Sequence, residues 1–435
     1  MSNLSELLPT GGGQNAVDFV ASGTLASGQT VALKTDGTVT AVALSSAGTG
    51  TAVVFESGGT DNVGATFDSS NNKVVIAYRD AANSNYGTAV VGTVSGTAIS
   101  FGTPVVFSSA ESTYNAATFD STNNKVVIAY RRATGTNPGK AIVGTVSGTS
   151  ISFGTEAQFN NQYVSYIELA FDSTNNKVVI AYCDQSNSSY GTALVATVSG
   201  TSISFGSKTI FESANSVYIG ATFDSANNKV VIAYKDGGNS NYGTAIVGTV
   251  SGTSISFGTA VVFEAATSTY TSATFDSNAN KVVIAYRDDG NSQYGTAIVG
   301  TVSGTSISFG TAVVFNSVST SDISTTFDST NNKVVISYTS SVAGSGTVIT
   351  GTVSGTSISF DSALVFDTYG TFSSATFDSN ANKVVIAYRN TSTYGTGIVF
   401  TVPTTNNTSF IGITDAAISS AASGSVTIKG GISSN

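Results

Sequence analysis

Aromatic, basic and acidic side chains recur at three fixed positions along the chain. One set follows a hydrophobic strand and comprises Arg79, Asp80, Arg131, Lys235, Asp236, Arg287, Asp288 and Arg389. A second set is the tyrosine of the motif NSxYG, with Tyr86, Tyr190, Tyr242, Tyr294 and, in a shorter version, Tyr394. A third set lies five residues before a repeated phenylalanine and comprises Tyr114, Tyr166, Tyr218 and Tyr270. Tyrosine can stack on the apolar face of a sugar while charged groups and amides bond its hydroxyls, so these residues are candidate ligand contacts.

Each set also has a purely structural interpretation. A charged pair at the end of a strand is commonly a solvated surface pair that contributes little stability. The tyrosine of NSxYG can fill a groove between neighbouring repeats, and the third set can line the mouth of a central axis. The sequence leaves these alternatives open.

Several kinds of chemistry are excluded by composition. The chain has no histidine, which removes the commonest general base and metal ligand, and no metal, phosphate-loop or dinucleotide motif is present. Its single cysteine, Cys183, rules out a disulfide framework. A glycosidase pair of carboxylates would need no histidine, but nothing in the sequence marks one. We therefore expect no enzymatic activity, no metal and no cofactor.

The charge balance limits the partners. The formal net charge is −9, with 17 Lys and Arg against 26 Asp and Glu, so we expect no nucleic-acid partner. No apolar stretch approaches the roughly 20 residues that cross a bilayer, so we expect no membrane insertion. An aspartate follows each repeated phenylalanine, and we interpret it as a turn-forming residue because one carboxylate is a poor calcium site. These aspartates are Asp68, Asp120, Asp172, Asp224, Asp276, Asp328 and Asp378.

A repeat of about 52 residues dominates the chain. The block FDS…NKVVIAY begins at Phe67, Phe119, Phe171, Phe223, Phe275, Phe327 and Phe377. A unit of this length, rich in Val, Ile and Thr and punctuated by Gly, Asn and Ser, predicts four short strands. In the fourth copy they are 219–223, 229–234, 244–250 and 254–263, with a bend at Gly258 and a loop leading to the next copy. Glu168 is the one charge that we place inside a first strand.

The two ends of the repeat are complementary. Residues 51–55 supply a lone fourth strand before the first copy, and the last copy has no fourth strand of its own. We therefore predict an all-β, seven-bladed β-propeller with four-stranded blades over residues 44–402, closed by the N-terminal outer strand. Residues 1–43 and 403–435 are predicted to pair as a small β module.

The flanks carry a resemblance. The segments LSELLPTGGGQNAVDFVASGTLASGQTVALKTDGTV and FIGITDAAISSAASGSVTIKGGI resemble segments of structural proteins from tailed, especially marine, bacteriophages. The resemblance implies a fibre, spike or surface decoration of the virion, assembled in the host cytoplasm as a homo-oligomer and anchored to other virion proteins by residues 1–43. A lectin-like propeller face for host adsorption would then bind host-surface carbohydrate. A purely structural tail or capsid component with protein partners, and a cellular adhesin-like module, are the alternatives.

Overall fold

The protein is an antiparallel β structure, which confirms the all-β prediction. A computed structural model describes residues 16–27, 30–33, 37–41, 47–403, 410–414, 419 and 421–427. Contacts divide the chain into a flank module, Met1–Ser46 with Pro403–Asn435, and a repeat domain, Ala47–Val402. The domain boundary predicted at residues 43 and 44 lies outside the described residues. No helix in the described ranges is long and apolar enough to cross a membrane.

The flank module is a five-stranded antiparallel sheet built from both ends of the chain. Its strands are β1 (Ala16–Val20), β2 (Thr30–Leu33), β3 (Val39–Ala41), β33 (Phe410–Thr414) and β34 (Ser423–Thr427). Their order in the sheet is β1-β34-β33-β2-β3, so the N-terminal strands pair directly with the C-terminal ones. The module therefore needs both flanks to form its sheet.

The repeat domain contains strands β4 to β32. The long strands, 16 residues each, are β5 (Val53–Asp68), β9 (Val105–Asp120), β13 (Ala157–Asp172), β17 (Thr209–Asp224), β21 (Val261–Asp276) and β25 (Val313–Asp328). In the seventh repeat β29 (Leu364–Asp367) and β30 (Thr371–Asp378) take their place. The second strands are β6 (Lys73–Asp80), β10 (Lys125–Arg132), β14 (Lys177–Asp184), β18 (Lys229–Asp236), β22 (Lys281–Asp288), β26 (Lys333–Ser340) and β31 (Lys383–Arg389).

The remaining strands complete each repeat. The third strands are β7 (Tyr86–Ser95), β11 (Pro138–Ser147), β15 (Tyr190–Ser199), β19 (Tyr242–Ser251), β23 (Tyr294–Ser303), β27 (Ser345–Ser354) and β32 (Tyr394–Thr401). The short strands that follow them are β8 (Ala98–Phe101), β12 (Ser150–Phe153), β16 (Ser202–Phe205), β20 (Ser254–Phe257), β24 (Ser306–Phe309) and β28 (Ser357–Phe360). β4 (Gly48–Thr49) and a 3-10 turn at Ala81–Asn83 complete the elements of this domain.

Each long strand belongs to two repeats, which corrects the predicted loop between the fourth strand and the next first strand. The beginning of β17 pairs with β15, and its end pairs with β18. The predicted fourth strand is instead interrupted at Gly258, between β20 and β21. A Cβ atom at Gly258 would lie 1.9 Å from the carbonyl oxygen of Thr305 in the next repeat. Glycine is needed there because the backbone of the next repeat occupies the space that a side chain would fill.

The second strands form the core, because they are buried on both faces. Tyr234 on β18 is fully buried, and its ring lies 5.1 Å from the Phe211 ring, which in turn lies 5.8 Å from Phe257. The Tyr234 hydroxyl donates a hydrogen bond to Glu212 at 3.1 Å. Burial raises the pKa of Tyr234, so the phenol remains a donor. Equivalent stacks of phenylalanine and tyrosine recur along the domain.

The aspartate after each first strand forms the predicted turn in all seven repeats. One carboxylate oxygen accepts backbone N–H bonds from the residues two and three positions later. In five repeats an asparagine side chain also donates to the second oxygen, as Asn227 does to Asp224 at 2.9 Å. Ala279 and Ala381 replace that asparagine in the other two, and burial raises the pKa of Asp276 and Asp378 there.

The missing amide yields a stability prediction. Ala279→Asn gives Asp276 the donor that Asn227 gives Asp224, and we expect it to raise the free energy of unfolding by about 1 kcal/mol at pH 7. Because the pKa of Asp276 is higher in the folded protein than in the unfolded chain, its ionisation destabilises the fold as the pH rises above the unfolded-state pKa. The new amide favours the ionised carboxylate, so the gain in the free energy of unfolding shrinks at pH 3, where the carboxyl is protonated. Chemical denaturation at both pH values measures it. Ala226→Asn is the control, and an equal gain from both variants would contradict the assignment.

Candidate functional site

A β-bulge interrupts the pairing of the first and second strands at the same register in every repeat. In each bulge one residue has a left-handed backbone, with φ between 49° and 53°. These residues are Asn62, Tyr114, Tyr166, Tyr218, Tyr270, Asp322 and Phe372. Asparagine and aspartate tolerate this conformation, whereas it destabilises an aromatic residue by on the order of 1 kcal/mol. Five repeats therefore carry an aromatic ring where the backbone favours a different residue type.

The same seven residues line one cavity of about 230 Å³, which we call the mouth. A second cavity of about 270 Å³ adjoins it and is lined by the first strands of all seven repeats. Small residues such as Ala65, Gly220 and Ser374 form much of that wall. The bulge thus places one side chain from every repeat in the lining of the mouth.

Four tyrosines from consecutive repeats form an arc in the mouth. The ring centroids of Tyr114 and Tyr166 are 5.3 Å apart, those of Tyr166 and Tyr218 5.1 Å, and those of Tyr218 and Tyr270 5.2 Å. Burial raises the pKa of Tyr114, Tyr166 and Tyr270, so their hydroxyls are protonated at neutral pH. The arc therefore offers both ring surface and hydrogen-bonding hydroxyls to a ligand.

Basic side chains from the ends of the second strands stack on these rings. The guanidinium of Arg131 lies 4.9 Å from the centroid of the Tyr114 ring, and the ammonium of Lys235 lies 5.6 Å from that of Tyr218. The equivalent distances are 5.0 Å for Arg287 over Tyr270 and 4.9 Å for Arg389 over Phe372. Such contacts hold the cation and the ring in fixed relative positions. They bring the first and third predicted sets together.

Two of the basic residues are already neutralised by carboxylates. Arg79 forms ion pairs with Asp61 and Glu111, the latter at 2.8 Å. Arg287 pairs with Asp289 at 2.7 Å. These pairs are partly exposed and add little stability, but they offset the positive charge of Arg79 and Arg287.

Glu168 is the carboxyl that lines both cavities. It occupies a first-strand position where the other repeats have glycine, alanine or serine. Burial raises its pKa from the ordinary 4.5 to about 8, and a backbone hydrogen bond at Leu169 opposes this shift in part. At neutral pH the group is a neutral acid that can donate a hydrogen bond.

The other predicted residues lie elsewhere. Asp80, Asp236 and Asp288 are buried, and their side chains accept backbone N–H bonds from their own turns. The NSxYG tyrosines begin the third strands and line neither cavity; they are Tyr86, Tyr190, Tyr242, Tyr294 and Tyr394. The glycine that follows them is required because a Cβ at Gly243 would lie 2.4 Å from the Phe263 ring.

Three residues of the mouth were missed from the sequence. Asn62, Asp322 and Phe372 occupy the register position of the tyrosines, and a search of that position for every residue type would have found them. Tyr163, which contacts Arg131, was also missed because it lies outside any repeated motif. Its ring centroid is 4.8 Å from the Arg131 guanidinium, and its hydroxyl accepts a hydrogen bond from that group at 2.8 Å.

The side chains at and around the mouth offer ring surfaces and hydrogen-bonding groups. Rings, hydroxyls and guanidinium groups can stack on a sugar and bond its substituents. Over the residues that the structure describes, no group of three or more acidic or cysteine side chains could hold a metal ion. Cys183 is buried, and its thiol donates to the Ser189 carbonyl oxygen at 3.3 Å.

Glu168 generates a pH prediction. The folded protein retains its proton up to pH of about 8, whereas the unfolded chain loses it near 4.5, so stability falls as the pH rises between these values. Glu168→Gln cannot ionise, and we expect its free energy of unfolding to rise by roughly 4 kcal/mol relative to that of the natural protein between pH 5 and pH 8.5. Denaturant unfolding at both pH values measures this. Glu168→Ser, which copies Ser272 and Ser324, is expected to show the same gain. If the free energy of unfolding depended on pH in both variants as it does in the natural protein, the raised pKa of Glu168 would be rejected.

Comparison with known proteins assigns no family to the chain. The sequence matches no protein-family model and no curated protein. The case for a function therefore rests on the mouth itself, on the register of its seven bulges and on the resemblance of the flanks.

Proposed function

We propose that the repeat domain is a seven-bladed β-propeller and that the protein is a non-enzymatic structural protein of a phage virion, whose mouth binds host-surface carbohydrate. Two features support the propeller. β32 of the last repeat pairs with β5, which also serves the first repeat, and first strands from all seven repeats line one cavity. The virion setting is proposed on the resemblance of the flanks alone.

The observation that carries the binding proposal is the arc of four tyrosines. Each tyrosine has a left-handed backbone that disfavours it, while Asn62 and Asp322 show that residues suited to this conformation fit the same position. Strained residues of this kind concentrate at ligand sites, where function maintains them. Neighbouring copies of one side chain provide several similar contacts, which suits a repeating polysaccharide and suits catalysis poorly.

An engineered disulfide tests the propeller. Val54 and Thr396 are register partners across β5 and β32, so Val54→Cys with Thr396→Cys is expected to form an intramolecular disulfide under mild oxidation. Thr347 is the equivalent of Thr396 one repeat earlier, and it pairs with Val365. Val54→Cys with Thr347→Cys is therefore the control. Peptide mass spectrometry distinguishes them, and an open array of repeats would leave both pairs reduced.

Substitution of the arc tests the binding proposal. Asparagine at Tyr166 and Tyr218 copies Asn62, and we expect the double variant to lose at least tenfold in affinity for glycans that the natural protein selects on an array. The free energy of unfolding is expected to change by no more than about 1 kcal/mol, because relief of backbone strain offsets the lost ring contacts. Calorimetric binding and denaturant unfolding measure the two quantities.

The control uses the other tyrosine set of the same two repeats. Asparagine at Tyr190 and Tyr242 removes the same side chains from positions that line neither cavity. We expect this variant to bind as the natural protein does. Failure of the natural protein to bind any glycan, or a larger loss in the control than in the arc variant, would reject the mouth as the site.

A further inference from the structure

The basic side chains around the mouth differ in how they are paired. Arg131 and Lys235 both stack on tyrosines of the arc, and neither has a carboxylate within ion-pair distance in the described part of the chain. Arg79 and Arg287 are paired with carboxylates. Arg389 stacks on Phe372, outside the arc, and lies near enough to Asp322 to lower the pKa of that carboxyl against the larger effect of burial. The unpaired cations of the arc therefore belong to the second and fourth repeats.

The third repeat lies between these cations and has no long side chain at the equivalent position. Cys183 stands there, buried and hydrogen-bonded to its own loop. No cation stacks on Tyr166 among the described residues, although this ring lies between those of Tyr114 and Tyr218. Tyr166 is thus the member of the arc that is flanked by two cation-bearing repeats and carries no cation itself.

Arg131 is held in place before any ligand arrives. Its guanidinium lies between the rings of Tyr114 and Tyr163, at 4.9 and 4.8 Å from their centroids. One terminal nitrogen donates to the Tyr163 hydroxyl, and its buried Nε has no hydrogen-bond partner. A guanidinium fixed in this way loses little entropy when it binds a carboxylate or sulfate group.

The nearby carboxyl does not oppose an anion at neutral pH. Glu168 comes from the same strand as Tyr166 and lines the mouth. Because burial raises its pKa to about 8, it is uncharged at pH 7 and can donate to an anionic oxygen. The formal net charge of −9 disfavours nonspecific binding of polyanions, so selectivity for an acidic ligand would have to come from this local arrangement.

We propose that the ligand is a saccharide with a carboxylate or sulfate group, bound with a sugar ring on Tyr166 and the anionic group between Arg131 and Lys235. This inference rests on the proposed carbohydrate-binding function and names its ligand class. Tyrosine supplies the stacking surface, and the two cations supply charge-assisted hydrogen bonds. Neutral sugars would make the first kind of contact without the second.

The test uses an array on which glycans with uronate, sialate or sulfate groups stand beside matched neutral glycans. The protein is expected to bind an acidic glycan at least tenfold more tightly than its neutral match, with affinity falling as salt rises. The separate acidic groups distinguish carboxylate from sulfate recognition. Arg131→Gln with Lys235→Gln is expected to lose that preference while keeping the fold.

The strands provide a matched control. Lys125 and Lys229 lie at the other ends of the same strands, β10 and β18, so Lys125→Gln with Lys229→Gln removes the same charge away from the mouth. It is expected to bind as the natural protein does. Equal losses in both double variants would overturn the inference in favour of nonspecific attraction.

Two further outcomes separate this inference from the proposed function. Equal binding of acidic and neutral glycans, still lost on Tyr166→Asn with Tyr218→Asn, would overturn the anionic preference and leave carbohydrate binding in place. Absence of binding to every glycan on the array would overturn both.

Discussion

The arrangement of the repeat domain depends on one strand that serves two repeats. The outer half of each long strand completes the preceding repeat, and its inner half pairs with the second strand of the next. The bulge follows this change of partner: β17 pairs with β15 up to Asn215 and with β18 from Ser216, and the register shift comes between Val217 and Gly220. Because the shift falls at the same position in every repeat, seven left-handed residues lie around one cavity. The position of the mouth is thus set by the bulge.

The backbone conformation and the proposed ligand recognition favour different residues at this position. Asn62 and Asp322 suit the backbone and form hydrogen bonds there, since the Asn62 side chain accepts the backbone N–H of Tyr114 at 2.9 Å. The four tyrosines have unfavourable backbone angles, and contacts between their rings offset part of this destabilisation. The core does not face this conflict. Five of its seven buried tyrosines, Tyr234 among them, have both ring contacts and a carboxylate acceptor for the hydroxyl.

Differences between repeats give the mouth its asymmetry. The bulge falls at the same register in every repeat, but the side chain near the end of the second strand varies from Arg131 through Cys183 to Lys235. A paired arginine in one repeat and an unpaired one in the next have different electrostatic surroundings, although their local sequences are alike. The charge around the mouth therefore differs from repeat to repeat, even though the scaffold is repetitive. A repeated fold can in this way hold a site without symmetry.

The sequence by itself determined the all-β class, the period of the repeat, the second strands and the aspartate turns, because these depend on side chains within a few residues of one another. It also identified the tyrosines before each first strand as candidates. It could not separate them from the NSxYG tyrosines, because both sets recur with the same period and only the bulge decides which of them face the cavity. Tertiary structure likewise decided the role of Gly258, the contact of Tyr163 with Arg131 and the position of Glu168 between the two cavities. Each depends on the packing of segments that are distant in the chain or on enclosure by neighbouring repeats, and local spacing does not encode such distances.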